Sequence, residues 1–439
     1  MASDTARPTF RRSARVPLLL GGALWLLAAT LTGCGKAESG NASTGGSAAS
    51  TKADATSEAS ASGGAADVGS AGNAVPASSS GSAGAIKVGH FASMTGSEAT
   101  FGRSTDEGIR LAVKQINDAG GVKVGEQRSP VNVITEDTES KPEKAKDVVS
   151  KLVHRDKVVA VLGEVASSIS LEGAPVCQRA GVPMITPSST NTRVTQVGDF
   201  IFRVCFIDPF QGYAAAKFAR EELKITRVAL VVDNASAYSQ ELADEFTKAL
   251  ESMGGTIVER AEYVKGDKDF NARLTKIRQA SPEAIYVPGY YQDVSNIAIQ
   301  ARQLGMTMPL MGGDGWDSVE LGKNAGEAIE GCFYTNHYAP DDPNPEIQKF
   351  VSEYRAMFGD KTPDGLAALG YDAMRVLAQA IERAGTTEGK ALRDAIAATK
   401  DFSGVTGTIT INENRDAVKP IVIVERKGGQ WVFRKRIEP

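Results

Sequence analysis

Five stretches of the chain place hydroxyl, amide or carboxylate groups where a short apolar run gives way to a polar one. Val158–Gly163 leads into Glu164-Val165-Ala166-Ser167-Ser168-Ile169-Ser170, and Pro183–Thr186 leads into Pro187-Ser188-Ser189-Thr190-Asn191. Hydroxyls beside the free N–H groups of a helix start make a cradle for a carboxylate, because those amides carry partial positive charge. Farther along, Val228–Val232 runs into Asp233-Asn234-Ala235-Ser236-Ala237-Tyr238, Ala284–Val287 into Gly289-Tyr290-Tyr291, and Pro309–Gly312 into Gly313-Asp314-Gly315-Trp316. A carboxylate among glycines, flanked by tyrosines and an indole, suits an ammonium group carried on an apolar body. Each stretch has a plainer alternative. Serine and threonine cap helices, and Asp-Gly is a common turn.

Catalytic patterns are missing from the sequence. There is no G-x-S-x-G elbow, no phosphate loop of the G-x-x-x-x-G-K-[ST] form and no G-x-G-x-x-G opening a helix. Asp137, Glu139 and Glu164 could form an acid–base pair, but a solvated face or a cap explains them with fewer assumptions. The three histidines, His90, His154 and His337, are too scattered for a shared metal. The expectation is a protein that is not an enzyme and holds neither cofactor nor metal. Forty-nine basic against 53 acidic side chains give a net charge of -4, so no global positive field favours nucleic acid.

The elements that would position these residues alternate. β-Branched runs at Ile86–Phe91, Val131–Glu136 and Val158–Gly163 are separated by helical patterns at Thr105–Ala119 and Pro142–Arg155, with another at Ser170–Ala180. In the first helix Ile109, Val113 and Ile116 make one apolar stripe, ended by Gly120-Gly121. The alternation restarts after Phe206 and continues to Gly312. Strand–helix alternation predicts parallel sheets, and 439 residues suffice for two cores. The fold class is therefore α/β, with two doubly wound parallel-sheet lobes in series. Late helices without a lobe of their own return to the first lobe, and the last strands, with Lys427-Gly428-Gly429 as a hairpin turn, close the second.

Ahead of this region, Arg7, Arg11, Arg12 and Arg15 precede an uncharged run, Val16–Leu31, of signal-peptide length. It ends in Leu31-Thr32-Gly33-Cys34, which resembles the lipobox of bacterial lipoproteins; that likeness implies cleavage after residue 33 and a diacylglycerol on Cys34. From Gly35 to Ala85, 37 of 51 residues are Ser, Ala or Gly. Such a segment buries too little apolar surface to offset its ordering entropy and reads as a linker. Cys177, Cys205 and Cys332 remain, an odd number, read as small buried apolar residues.

The strings Ile86-Lys87-Val88-Gly89, Met94-Thr95-Gly96, Phe101-Gly102, Ala112–Asn117 with Gly120-Gly121, Met184-Ile185-Thr186-Pro187-Ser188, Gly266–Phe270 and Gln300-Ala301-Arg302 occur in this order. With them the chain from 86 to 439 resembles the type I periplasmic binding proteins, and more narrowly the branched-chain amino-acid (Leu/Ile/Val) receptors of ABC importers. The resemblance implies two lobes joined by crossover strands, residues 86–207 plus 340–402 and residues 208–339 plus 403–439. It implies a carboxylate-binding serine at Ser167, strand-end contacts at Ser188 and Thr190, second-lobe tyrosines at Tyr238 and Tyr290, an ammonium-binding acid at Asp314 and an entrance aromatic at Phe101. Phe101 stands where the family has Tyr, Ser188 where it has Ala and Asp314 where it has Glu; Thr138 and Ala166 lie around its disulfide positions. The implied function is capture of a free amino acid by lobe closure and delivery to a membrane permease, by a monomer tethered outside the cytoplasm through Cys34. Receptors for an amide, a urea or an aromatic acid, or a sensing module for a membrane partner, are the alternatives.

Overall fold

The structure, a computed structural model, describes residues 84–439. The export segment, Cys34 and the linker up to residue 83 lie outside the described residues.

Apolar runs flanked by amphipathic helices form strands covered on both faces. Five of them make one parallel sheet, in the spatial order Val131–Asp137, Ile86–Ala92, Ala160–Leu162, Met184–Thr186, Ile201–Arg203. The chain builds Val131–Asp137 on one side of Ile86–Ala92 and then crosses to the other side for Ala160–Leu162. At that reversal the connections diverge and leave a crevice beyond the carboxyl ends of the strands. The second sheet repeats the device. Thr256–Tyr263, Arg227–Asp233, Ala284–Val287, Leu310–Gly312 and Phe333–Asn336 run parallel, and the hairpin Ile421–Lys427 with Gln430–Ile437 adds antiparallel at the edge. Its reversal lies between Arg227–Asp233 and Ala284–Val287, beside the polar stretches that follow those strands. Gly428 and Gly429 turn the hairpin with φ of 58° and 75°, the left-handed conformations a two-residue turn of this kind requires.

Helices Pro345–Phe358 and Gly365–Ala384 return to pack on helix Ala99–Asp118 of the first sheet. The approach is close enough that a Cβ on Gly108 would sit 1.9 Å from the Ala367 carbonyl oxygen, and one on Gly370 2.4 Å from that of Thr105. Backbone blocks backbone at both places, so a larger residue must separate the helices. Gly108→Ala is expected to lower the unfolding free energy by about 2 kcal/mol, measured by urea denaturation followed by circular dichroism. An unchanged midpoint would mean that the helices part without loss.

Two features differ from the sequence expectation. The first helix starts at Ala99 rather than at Thr105. Thr100 and Gly102 mask the apolar period there, and Gly102 is required by packing, since a Cβ would lie 2.2 Å from the Ser93 carbonyl oxygen. Short strands also appear at Val122–Val124, paired with Gln127–Ser129, and at Phe402–Gly404, which pairs with Gly407–Ile411, one of the closing strands expected. Three residues are too few for a period of two to show. Cys177, Cys205 and Cys332 are free and buried, and burial pushes the thiols of Cys177 and Cys205 up to about 12. Among the described residues no helix is long and apolar enough to cross a membrane.

Candidate ligand-binding site

On the first sheet, strand Ala160–Leu162 ends in a turn that delivers Ser167 as the first residue of helix Ser167–Ala180. Ser167 is buried, and its Oγ accepts from the backbone N–H of Asn191 at 3.3 Å. The loop after Met184–Thr186 carries Ser188 and Thr190, both buried, whose hydroxyl oxygens have no hydrogen-bond partner in the protein. A buried polar group left unpaired costs roughly 1–3 kcal/mol. A ligand that bonds both would recover that cost.

On the second sheet, Asp314 follows strand Leu310–Gly312 and is 5% exposed. Its Oδ1 accepts from Tyr238 Oη at 2.9 Å and from Gln211 Nε2 at 2.9 Å. His337 Nε2 lies 3.1 Å from Oδ2. Burial lowers the His337 pKa to about 4, so at neutral pH the ring donates a hydrogen bond without supplying a counter-charge. A carboxylate offers about four acceptor positions, and three are taken. Tyr238 stacks on Tyr290 with centroids 5.3 Å apart and planes at 4°. Tyr290 in turn meets Phe101 edge-on at 5.5 Å.

Phe101, Tyr290, Tyr238 and Asp314 therefore form one continuous wall. The hydroxyl-bearing loops meet the same segment of the second sheet. Ser168 Oγ accepts from Ala237 N–H at 3.1 Å, and Asn191 Nδ2 donates to the Ala237 carbonyl at 2.8 Å, immediately before Tyr238. No direct hydrogen bond joins Ser167, Ser188 or Thr190 to Asp314 or to either tyrosine among the described residues.

Sequence reasoning missed Asp208. It opens helix Asp208–Glu221 directly after the crossover from the first sheet, and its N–H donates to the Thr190 carbonyl at 3.1 Å. The side chain is 0% exposed and both oxygens lack a hydrogen-bond partner. Burial, then the charges of Glu241 and Asp314, push this carboxyl well above the usual range. Its signal in the sequence was an Asp-Pro pair at a helix start, which reads as an ordinary cap. Gln211 and His337 were missed as well, because only the fold brings them to Asp314.

The acid–base trio is dispersed into structural duties. Asp137 accepts from the N–H groups of Met94, Thr95 and Glu139. Glu139 pairs with Lys141 and Lys144 at the surface. Glu164 is buried, accepting from Ser93 N–H at 2.6 Å, Ser93 Oγ at 2.5 Å and Ala166 N–H at 2.6 Å. Burial and the nearby Glu98 hold its carboxyl up to about 7 against these donors.

At the mouth the two bodies are bridged. Glu98, which precedes helix Ala99–Asp118, is 2% exposed and pairs with Lys265 of the second body at 2.5 Å. Lys265 Nζ also donates to the Ser140 carbonyl at 3.3 Å, Tyr291 Oη to that of Ser97 at 2.9 Å, and the Thr100 and Ser318 hydroxyls meet at 3.0 Å. Side chains attached to the two sheets thus meet across the crevice, Glu98 with Lys265, Tyr291 with the Ser97 carbonyl and Thr100 with Ser318.

Comparison with known proteins identifies the family. The family profile described as periplasmic binding protein matches residues 85–430. The chain is 32% identical over 342 residues to a leucine-, isoleucine-, valine-, threonine- and alanine-binding protein of Pseudomonas aeruginosa, covering 77% of this chain and 89% of that one. Among solved structures, a leucine-binding protein of Thermotoga maritima is 40% identical with a TM-score of 0.76, covering 81% of this chain and 99% of that one. The substrate-binding protein of a Streptococcus pneumoniae branched-chain amino-acid transporter, solved with isoleucine, is 32% identical with a TM-score of 0.76, covering 81% and 100%. A Rhodopseudomonas palustris solute-binding protein solved with benzoate is 25% identical with a TM-score of 0.73, covering 81% and 97%. The chain belongs to the periplasmic binding protein family, with the two-lobed type I fold of the substrate-binding components of ABC transporters.

Proposed function

We propose that this protein captures a free branched-chain amino acid, leucine, isoleucine or valine, between its lobes and hands it to the permease of an ABC importer. The observation that carries the reading is the set of buried, unpaired groups on segments that follow the strands of the first sheet: hydroxyls at Ser188 and Thr190, and a carboxyl with two bare oxygens at Asp208. The α-carboxylate bonds Ser167, Ser188 and Thr190, and the ammonium lies between Asp208 and Asp314. The aliphatic side chain packs on Tyr238, Tyr290 and Phe101. The names of the relatives support the ligand class. The lobes comprise residues 86–207 with 340–402 and residues 208–339 with 403–439. The protein works as a monomer outside the cytoplasm, held to the membrane by lipid on Cys34.

Closure is the functional motion, since the ligand is enclosed by groups from both bodies. The Glu98–Lys265 pair spans the mouth, so Lys265→Met leaves a buried carboxyl without its partner only in the closed form. Leucine dissociation in stopped-flow displacement is expected to speed up about ten-fold, with little change in association. An unchanged dissociation rate would remove the pair from closure.

One specific comparison favours a second reading, capture of an aromatic acid, because the benzoate-bound relative shares the fold and the site has aromatic walls. Calorimetric titration with leucine, 4-methylpentanoate and benzoate separates the two. The amino-acid reading expects leucine to bind about 100-fold more tightly than the acid lacking its amine. Equal binding of the two, or preference for benzoate, overturns it.

A further inference from the structure

A cavity of about 390 Å³ lies between the edge of the second sheet and the loop ahead of helix Gly365–Ala384, and Ser318, whose hydroxyl meets that of Thr100 at the mouth, is among its lining residues. None of the residues expected to hold the amino acid lines it. Arg426, on strand Ile421–Lys427, faces this space with its guanidinium 5.4 Å over the Trp431 ring. It forms no ion pair among the described residues, and its Nε is buried with no hydrogen-bond partner. Trp431 meets Tyr334 edge-to-face at 4.7 Å, which gives the cavity two aromatic walls. Gly322 leaves room beside the charge, since a Cβ there would come within 3.1 Å of Arg426 Nη2.

The two carboxyls that line the cavity are hydrogen-bonded to protein donors. Asp317 accepts from Tyr334 Oη and Asn336 Nδ2, both at 2.9 Å, and from Gly365 N–H at 2.6 Å. Asp364 caps the helix through Ala367 N–H at 2.9 Å and accepts from Ser104 Oγ. A guanidinium without an ion pair beside aromatic surface is built for a flat anion, because its planar fork matches a carboxylate while the ring covers apolar wall. The volume lies in the range of small-molecule sites. We propose that this cavity is a second ligand site, which takes a small aromatic monocarboxylate with its carboxylate on Arg426 and its ring against Trp431 and Tyr334.

Phenylacetate is the probe, titrated calorimetrically into the full-length protein with and without saturating leucine. The expected result is a single equivalent bound in both conditions. Arg426→Met and Trp431→Ala each weaken it roughly ten-fold or more, and phenylacetamide binds wild type at least about ten-fold more weakly than phenylacetate. Absence of binding, displacement by leucine, or equal affinity for acid and amide overturns the proposal. The acid–amide comparison needs no variant to fold. Should leucine itself give no heat, the amino-acid reading fails, and the phenylacetate comparison across Arg426→Met still decides this one.

Discussion

Asp208→Asn is expected to weaken leucine binding about 100-fold or more while making the unliganded protein more resistant to heat at pH 8. The two effects share a cause. In the structure Asp208 is buried with neither carboxyl oxygen hydrogen-bonded, and its pKa is driven up by burial and by the neighbouring Glu241 and Asp314. A carboxyl whose native pKa lies above its unfolded value binds more protons when folded. Native stability therefore falls as pH rises from the unfolded value, about 3.9, through the raised one. An amide of the same shape carries no such loss, so the variant gains on the wild type with increasing pH. It also offers an ammonium group no counter-charge. Thermal melts at pH 5 and pH 8, each with and without leucine, read both effects. A variant that binds poorly and also melts lower at pH 8 would assign Asp208 to the fold alone.

Asp314→Ala is expected to reduce leucine affinity by a similar factor, about 100-fold, but with the opposite effect on stability. Removing this carboxylate strands the Tyr238 hydroxyl, the Gln211 amide and His337 Nε2, which now share it. Three donors left in a buried site cost roughly 1–3 kcal/mol each before relaxation, so an overall loss of about 3 kcal/mol is expected in urea unfolding. The pair of variants thus separates the two acids: the Asp208 side chain makes no hydrogen bond, whereas Asp314 is held by three partners. Undiminished leucine affinity in Asp314→Ala would remove its ammonium role.

Much of the cleft was legible because the doubly wound architecture fixes where a site must be. Once strand–helix alternation is read, the residues after each strand are the ones to inspect. Ser167, Ser188, Thr190, Tyr238, Tyr290 and Asp314 all stand there, and the structure gathers Tyr238, Tyr290, Phe101 and Asp314 into one wall. Asp208 was hidden because an acid at a helix start has an ordinary explanation, and only the absence of any partner in three dimensions distinguishes it. His337 directly follows strand Phe333–Asn336. Its contact with Asp314 depends on the lateral pairing of strands Leu310–Gly312 and Phe333–Asn336. Glu98 and Lys265 are far apart in sequence and on different bodies, so no spacing argument couples them. The glycines at 108 and 370 carry no signal of their own, since a glycine within a helical pattern reads as a weak position rather than as a helix contact.

The most direct test is a crystal structure of the full-length protein grown with L-leucine. The expected density has the carboxylate on the hydroxyls of Ser167, Ser188 and Thr190, the ammonium bridging Asp208 and Asp314, and the isobutyl group against Tyr238 and Tyr290. Leucine bound with its poles reversed, or seated outside this cleft, would contradict the account.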